Sequence, residues 1–411
     1  MTLPFNMMNV FVINAGSSSI KYQLIRMPEA HIVCSGLVDR IGSAACTIKH
    51  KTFVGDKEKL RAENIDGGDH AAGLKRVATL MVDPEIGVIK DPDEIDVVGH
   101  RVVHGGESFS DTIEISEDVK QKIKKLFPLA PLHNPPNYLG IEIAEKIFSA
   151  AKQVAVFDTA FHQTMPPVAY RIAIPKKFYE EDGIRAYGFH GTSHKYVSEK
   201  AAAYLQKRES KIITIHLGNG CSMSAVRNGV CIDTSMGLGP MNGLIMGTRT
   251  GDIDQSVIFH MVSHLGYSLD EVNTILNKKS GMLGLTGFSD MRDVKAEYKK
   301  GNQDAILAYG MYAYHMKKYI GAFAAVLGGL DAIVFTAGVG ENDALSRKLS
   351  TDNLHHLGIF LDEEKNEAGG KNIYEINAAD SPVKILVIAT NEELEIARQC
   401  ASLLQGGEQL S

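Results

Sequence analysis

An α/β fold built as two duplicated lobes is predicted by three features of the sequence. Apolar runs of strand length alternate with amphipathic helical stretches, the runs end repeatedly in small-residue turns, and two of these strand-turn blocks align with each other. The runs are "NVFVINAGSSS", "KIITIHLGNGCSMS" and "DAIVFTAGVGEN", with "QVAVFDTAF" and "KILVIATNEE" as variants. Strands that alternate with helices build largely parallel sheets.

In chain order, the seven residues before Met8 read as a loose extension of the first strand. Ser116 caps a helix in which Val119, Ile123 and Leu126 recur at helical spacing. "VAVFD" is a strand that ends in Asp158, at the position where sheet proteins place polar working groups; the same residue could instead cap the next segment. Aligning Gly16 with Gly218 sets "VINAGSSS" against "TIHLGNGC", and each block runs on into a strand, a turn and another strand. Two lobes follow, each presenting a strand-turn-strand hairpin to a shared cleft. "RNG" at 227 to 229 reads as a hairpin turn that would let Cys221 and Cys231 face each other across strands. "SLDE" at 268 opens a helix with a capping box, and Thr390 with Glu393 forms another before the last helix. That second box gives Glu393 a structural reason but leaves Glu392 without one.

Composition excludes several function classes. With 411 residues, 44% of them hydrophobic, the chain can bury sizeable cores, and its 39 glycines sit between apolar runs rather than in a low-complexity tract. A formal charge of −6 without a concentrated basic patch argues against nucleic acid as a partner. No stretch reaches the roughly 18 to 20 apolar residues of a membrane span, and the start lacks a basic, cleavable leader. Five cysteines without a CxxC pair read as reduced thiols. A soluble cytoplasmic protein is expected.

The chemistry is carried by loops rather than by a standard nucleotide motif. Neither GxxxxGK[ST] nor GxGxxG occurs; "NAGSSSIK" offers hydroxyls, amides and a lysine that suit either a phosphate cradle or an ordinary turn. "GHRVVHGGE" and "GTRTGDID" each set an arginine among glycines, where an always-charged planar guanidinium can clamp a carboxylate or phosphoryl group. "YGFHGTSH" puts His190 beside a turn. Protease, esterase and zinc-hydrolase signatures are missing.

Together these blocks, with "PLAPLHNP", "FDTAFHQTMP", "DTSMGLGPMNGLIMGTRTGDID" and "TNEE", closely resemble the acetokinase family, within the sugar-kinase, heat-shock-protein-70 and actin superfamily. The resemblance runs from about Met8 to the end. It implies two ribonuclease-H-like (actin-like ATPase) lobes with an interlobe active-site cleft, one of residues 1–158 with 385–411 and the other, nucleotide-binding, of residues 159–384. It also implies a homodimer and reversible transfer of the γ-phosphoryl group of ATP to acetate, giving acetyl phosphate and ADP. Asn14 and Glu392 would serve Mg2+, with Mn2+ as an alternative, and Lys21 the ATP phosphates. The nucleotide would be held by His216, Leu217, Gly218, Asn219 and Gly220, by Asp290, Met291 and Arg292, and by Gly338, Val339, Gly340, Glu341 and Asn342. Arg101 would bind the acetate carboxylate or acetyl phosphate, while His190 and Arg249 stabilise the transferring group. Asp158 matches the position usually described as the acid/base.

A metaphosphate-like transition state spreads negative charge over equatorial oxygens, so two arginines, a histidine and a divalent cation suit it. Acetate is already ionised at neutral pH and needs no base. Asp158 is therefore expected to orient Arg101, Arg249 or metal-bound water. The family's small apolar pocket maps to Val103, Leu132, Phe189 and Pro240, the residues that resemblance associates with acetate, and the lobes are expected to close on ligand. One methylene is worth only about 1 to 3 kcal/mol, so propionate or another short carboxylate is the nearest alternative substrate. A heat-shock-type conformational ATPase would need a peptide-binding appendage for which no residues remain, and a sugar kinase would need a base beside a polar pocket.

Overall fold

The computed structural model describes residues 7–55 and 57–406, so residues 1–6 of the expected loose extension lie outside the described residues. The chain divides into two compact units, Met1–Ala160 with Asn391–Ser411, and Phe161–Thr390. In the first unit β1 (Met8–Ala15), β2 (Ser19–Met27), β3 (His31–Asp39), β4 (Thr47–Val54) and β5 (Lys57–Asn64) form an antiparallel meander. β6 (Val97–Val102), β7 (Ile113–Glu114) and β8 (Lys152–Phe157) extend it in the order β1-β6-β8-β7, with β6 and β8 parallel to β1.

In the second unit β9 (Lys211–Leu217), β10 (Cys221–Arg227) and β11 (Val230–Thr234) make a shorter meander. β12 (Ala332–Thr336), β13 (Ile373–Glu375) and β14 (Lys384–Ile388) complete a sheet ordered β11-β10-β9-β12-β14-β13. Both sheets thus contain one pattern, three antiparallel strands and then two parallel ones: β3-β2-β1-β6-β8 and β11-β10-β9-β12-β14. Gly16 and Gly218 each follow the first strand of that pattern, the relation on which the duplication rests. β14 ladders with β12, so its backbone groups are satisfied in the second unit and the chain returns to the first at Asn391, later than position 385.

Period-two alternation decides what faces what in the first unit. Phe11 and Ile13 enter a core with Leu74, Val77, Leu80 and Met81 of helix His70–Met81 and Ile143 and Ala144 of helix Asn134–Ile147. Val10, Val12, Val97, Val154 and Val156 enter the opposite core with Ile396, Ala397, Cys400 and Ala401 of helix Glu392–Leu404. Gly99 lets that helix approach β6: a Cβ there would stand 2.8 Å from Cys400 Sγ and 2.9 Å from Ile396 Cγ2.

His100, on the other face of β6, is buried and hydrogen-bonds Gln153 at 2.8 Å. Burial lowers its pKa to about 4, against the opposing pull of Gln153. The unfolded chain therefore binds a proton near the usual pKa of about 6.5 that the folded chain refuses. Stability should be fully present above that value and fall as the pH drops toward about 4, by up to about 3 kcal/mol for this residue. Urea midpoints of the parent and His100→Gln over this range check it; equal pH slopes would refute it.

Ser116 and Ser268 cap their helices as expected, the latter with the full box to Glu271. Asn228 and Gly229 both have positive φ, so "RNG" is a hairpin turn of the type that demands left-handed residues. Two local expectations fail. Cys231 lies opposite Val226 rather than Cys221, and the thiols find separate partners, Cys221 at Gly218 O and the Tyr312 hydroxyl, Cys231 at His162; all five cysteines are free. The last helix is capped by Asn391, whose side chain accepts from Leu394 N at 3.0 Å, because Thr390 is held at the Glu341 carboxylate and Ser193 hydroxyl instead. Glu393 is consequently free to pair with Lys21 at 2.6 Å. Among the described residues no helix is long and apolar enough to cross a membrane.

Candidate active site

Asn14, Arg101 and Asp158 come from the carboxyl ends of β1, β6 and β8, the three adjacent parallel strands of the first unit. The alternation that sends Val12, Gly99 and Val156 toward helix Glu392–Leu404 sends these three the same way, and Glu392 is the first residue of that helix. Asp158, 1% exposed, accepts from Arg101 Nε at 2.9 Å and from Nη2 at 2.5 Å. Pairing along the Nε–Nη2 edge leaves the Nη1–Nη2 end for a second bidentate anion. Burial opposes the charge on Arg101, but Asp158 and Glu392 outweigh it and hold the pKa above the usual arginine range.

The donors present fit a divalent cation. Asn14 Oδ1 has only a long contact to Arg101 Nη1, 3.4 Å, and Glu392 stands 3.9 Å from Arg101 Nε. Burial pushes the Glu392 carboxyl up, Arg101 opposes this, and Asp158 and Glu393 add to it. A carboxylate penalised in this way gains from an added positive charge. Two hard oxygen donors suit an ion that keeps water and phosphate oxygens as its other ligands.

In the second unit the turn 218–220 brings a histidine and an arginine together. A Cβ on Gly220 would lie 3.5 Å from His190 Nε2 and 3.6 Å from Arg249 Nη1. His190 has φ +57° at the start of helix Gly191–Leu205, its Nδ1 is 2.8 Å from Ser222 Oγ, and its ring stacks on His216 with centroids 4.2 Å apart. Arg249 Nη1 donates to Pro240 O at 2.8 Å; among the described residues no carboxylate pairs with this guanidinium, which burial holds below the usual arginine range against an opposing pull from Cys221. It is a half-buried cation that an anion could meet.

A cavity of about 970 Å³ opens in the same unit, and eight of the residues expected to hold a nucleotide line it: Gly218, Asn219, Asp290, Met291, Arg292, Gly338, Val339 and Asn342. Five do not. Leu217 is core, His216 bonds Ser193, and Gly220 faces His190. Gly340 and Glu341 lie in a short helix, Ala337–Asn342, where their carbonyls accept from Arg347 and the Glu341 carboxylate accepts from Thr390 N. "FTAGVGEN" is therefore a strand-to-helix junction, with the left-handed bend at Ala337, rather than a strand ending in a glycine turn. Lys295, paired with Asp343 at 2.7 Å, and Met246, Met282 and Tyr312 also line the cavity; a lysine in an amphipathic helix and scattered methionines carry no local motif.

Of the four expected acyl-pocket residues, Val103 and Phe189 are buried, Pro240 is half-buried, and Leu132 is 53% exposed. Val103 and Leu132 belong to the first unit, Phe189 and Pro240 to the second. The sequence reading also missed Asn134 and Asn137, whose amides hold the backbone of His104 and Val103 at 3.0 Å, and Asn137 ties that segment to Ala15 O. Their spacing of three on a helix was the available signal.

Glycine turns at duplicated strand pairs, a cavity of about 970 Å³ in the second unit, and guanidinium and oxygen donors at the strand ends are parts that an α/β phosphotransferase uses. Residues 9–398 match the model of the acetokinase family. An acetate kinase of Flavobacterium johnsoniae is 57% identical over 97% of this chain and 100% of its own. The crystal structure of Porphyromonas gingivalis acetate kinase superposes with a TM-score of 0.89 at 41% identity, covering 97% of this chain and 100% of that one. A propionate kinase from Francisella tularensis gives the same TM-score and identity over 96% and 99%. The chain belongs to the acetokinase family and is a kinase with a carboxylate as phosphoryl acceptor.

Proposed function

We propose that the protein catalyses reversible transfer of the ATP γ-phosphoryl group to acetate, giving acetyl phosphate and ADP. The observation that carries this reading is the convergence of His190 and an Arg249 without a carboxylate partner on the Gly220 turn, beside the cavity lined by Gly218 and Asn219. Phosphoryl transfer needs positioning and fixed positive charge more than proton abstraction, and these groups supply both. Arg101 binds the acetate carboxylate through its Nη1–Nη2 end while Asp158 fixes the guanidinium plane. Mg2+, or Mn2+ in its place, would be held by Asn14 and Glu392 and supplies charge neutralisation to the nucleotide phosphates when bound. Lys21, exposed and paired with Glu393, would exchange that carboxylate for a nucleotide phosphate.

The structures of an acetate kinase and a propionate kinase superpose equally well, but the relative at 57% identity is an acetate kinase, and the acyl pocket agrees with it. Val103 retains its full side chain and is buried, which favours the smaller acid. Preference over propionate should be roughly 10- to 200-fold, the range one methylene allows. Hydroxamate assay of acyl phosphate formation with acetate, propionate, butyrate and glycerol side by side tests this; a parent enzyme preferring propionate, or forming no acyl phosphate, overturns it. Buried free thiols suit the cytoplasm. Helix Gln255–Ser263 and the residues after it expose Phe259, Leu265 and Leu269, a surface that a homodimer would bury. Sedimentation as a monomer at micromolar concentration would count against the dimer.

A further inference from the structure

A buried chain of hydrogen bonds leads from β9 to His190. Ser222 Oγ lies 2.8 Å from His190 Nδ1 and 2.7 Å from His194 Nε2. A hydroxyl carries one proton, so it donates to one ring and accepts from the other. His194 decides which. It is fully buried, and desolvation, then His162 and His216, hold its pKa well below the usual value, so the ring is neutral with a single N–H. Its Nδ1 sits 2.7 Å from Thr214 Oγ1, whose other neighbour, 3.5 Å away, is Ser224 O, a carbonyl that can only accept. Thr214 accordingly accepts from His194 Nδ1–H, and His194 Nε2 is left as a bare acceptor. Ser222 donates to it, and the remaining lone pair of Ser222 accepts from His190 Nδ1–H.

Strand register explains why the chain exists. Ser222 stands opposite His216 and Ser224 opposite Thr214 across β9 and β10, so alternate positions of both strands turn polar groups toward helix Gly191–Leu205. His190 and His194 lie four apart, one helical turn, and both reach the same hydroxyl. His190 is also held at φ +57°, a conformation that non-glycine residues keep only when their surroundings enforce it.

We infer that Ser222, directed by His194 and Thr214, is a positioning residue that holds an acceptor against His190 Nδ1–H, so that the neutral ring is the Nδ1–H tautomer and Nε2, turned to the Gly220 turn beside Arg249, is the nitrogen that carries the added proton when the ring is a cation for the transferring group. The catalytic consequence rests on the phosphotransferase reading above; the tautomer itself does not. One ring nitrogen of a working histidine is set by the hydrogen bond the other makes. Without Ser222 the ring can rotate and adopt the Nε2–H form that free histidine favours.

Long-range 1H–15N spectra of the full-length protein labelled at histidine nitrogen, without ligand and with His190 neutral, should show His190 and His194 both protonated at Nδ1. Ser222→Ala should move His190 to the Nε2–H pattern and lower kcat by roughly 10- to 100-fold, less than deleting an oxyanion donor outright, with KM for acetate within about threefold. Ser222→Thr, which keeps the hydroxyl, should restore both. An Nε2–H His190 in the parent, or an unchanged tautomer in Ser222→Ala, would overturn the inference. The parent spectrum decides even where a variant fails to fold, and a parent with the Nδ1–H pattern but no acyl phosphate activity would refute the proposed reaction alone.

Discussion

Arg249→Ala is expected to lower kcat by roughly 10² to 10⁵, the span from one oxyanion-hole donor to an arginine finger. The guanidinium is held at the Gly220 turn by Pro240 O and has no carboxylate partner among the described residues, so its charge is not already spent within the fold. A transferring phosphoryl group would meet it as a fixed cation in a partly desolvated place, where the interaction is worth far more than in water. Because removing it leaves no carboxylate stranded, folding should be affected much less than rate. Steady-state kinetics beside a thermal melt separate the two; a kcat within about threefold of the parent would refute the role.

Asp158→Asn is expected to lower kcat/KM for acetate by roughly 10² to 10³, the scale of one fixed donor lost, without removing a limb from the pH–rate profile. Asparagine keeps one acceptor but not the charge or the second oxygen, so the bidentate hold on Arg101 Nε and Nη2 is broken. A buried pair that loses one member destabilises by about 3 to 5 kcal/mol, since the remaining charge is uncompensated. That energy appears here as a misplaced guanidinium and a lower melting temperature together. Acetate has no proton to give, so no proton abstraction should shape the rate. Disappearance of a pH limb in the variant would make Asp158 a base and sink the positioning account.

Much of this was legible in the chain because the relevant signals are local. The strand-glycine-turn blocks at Gly16 and Gly218, the serine caps and the "RNG" hairpin depend on a few neighbouring residues, and they formed as read. So did the alignment of Gly16 with Gly218, which reappears as the same strand order in both sheets. Two readings went astray. Thr390 and Glu393 fit a capping box by spacing, but the Glu341 carboxylate and Ser193 hold Thr390 while Lys21 attracts Glu393. Cys221 and Cys231 flank a turn, but the two-residue turn pairs Arg227 with Val230 and so sets Cys231 against Val226 rather than Cys221.

The sequence by itself determined the strands, the turns between them, and which residue types could meet phosphate or carboxylate, because each of these follows from periodicity of two, helical spacing and backbone freedom within a few residues. Only the tertiary structure decided which charges are spent and which are available. Arg101 and Arg249 look alike in their glycine-rich stretches, yet strand register seats Arg101 against Asp158, 57 positions later, while Arg249 hydrogen-bonds a carbonyl and a thioether and, among the described residues, pairs with no carboxylate. Partnerships across that distance are set by which strands lie side by side, and no local pattern contains that information.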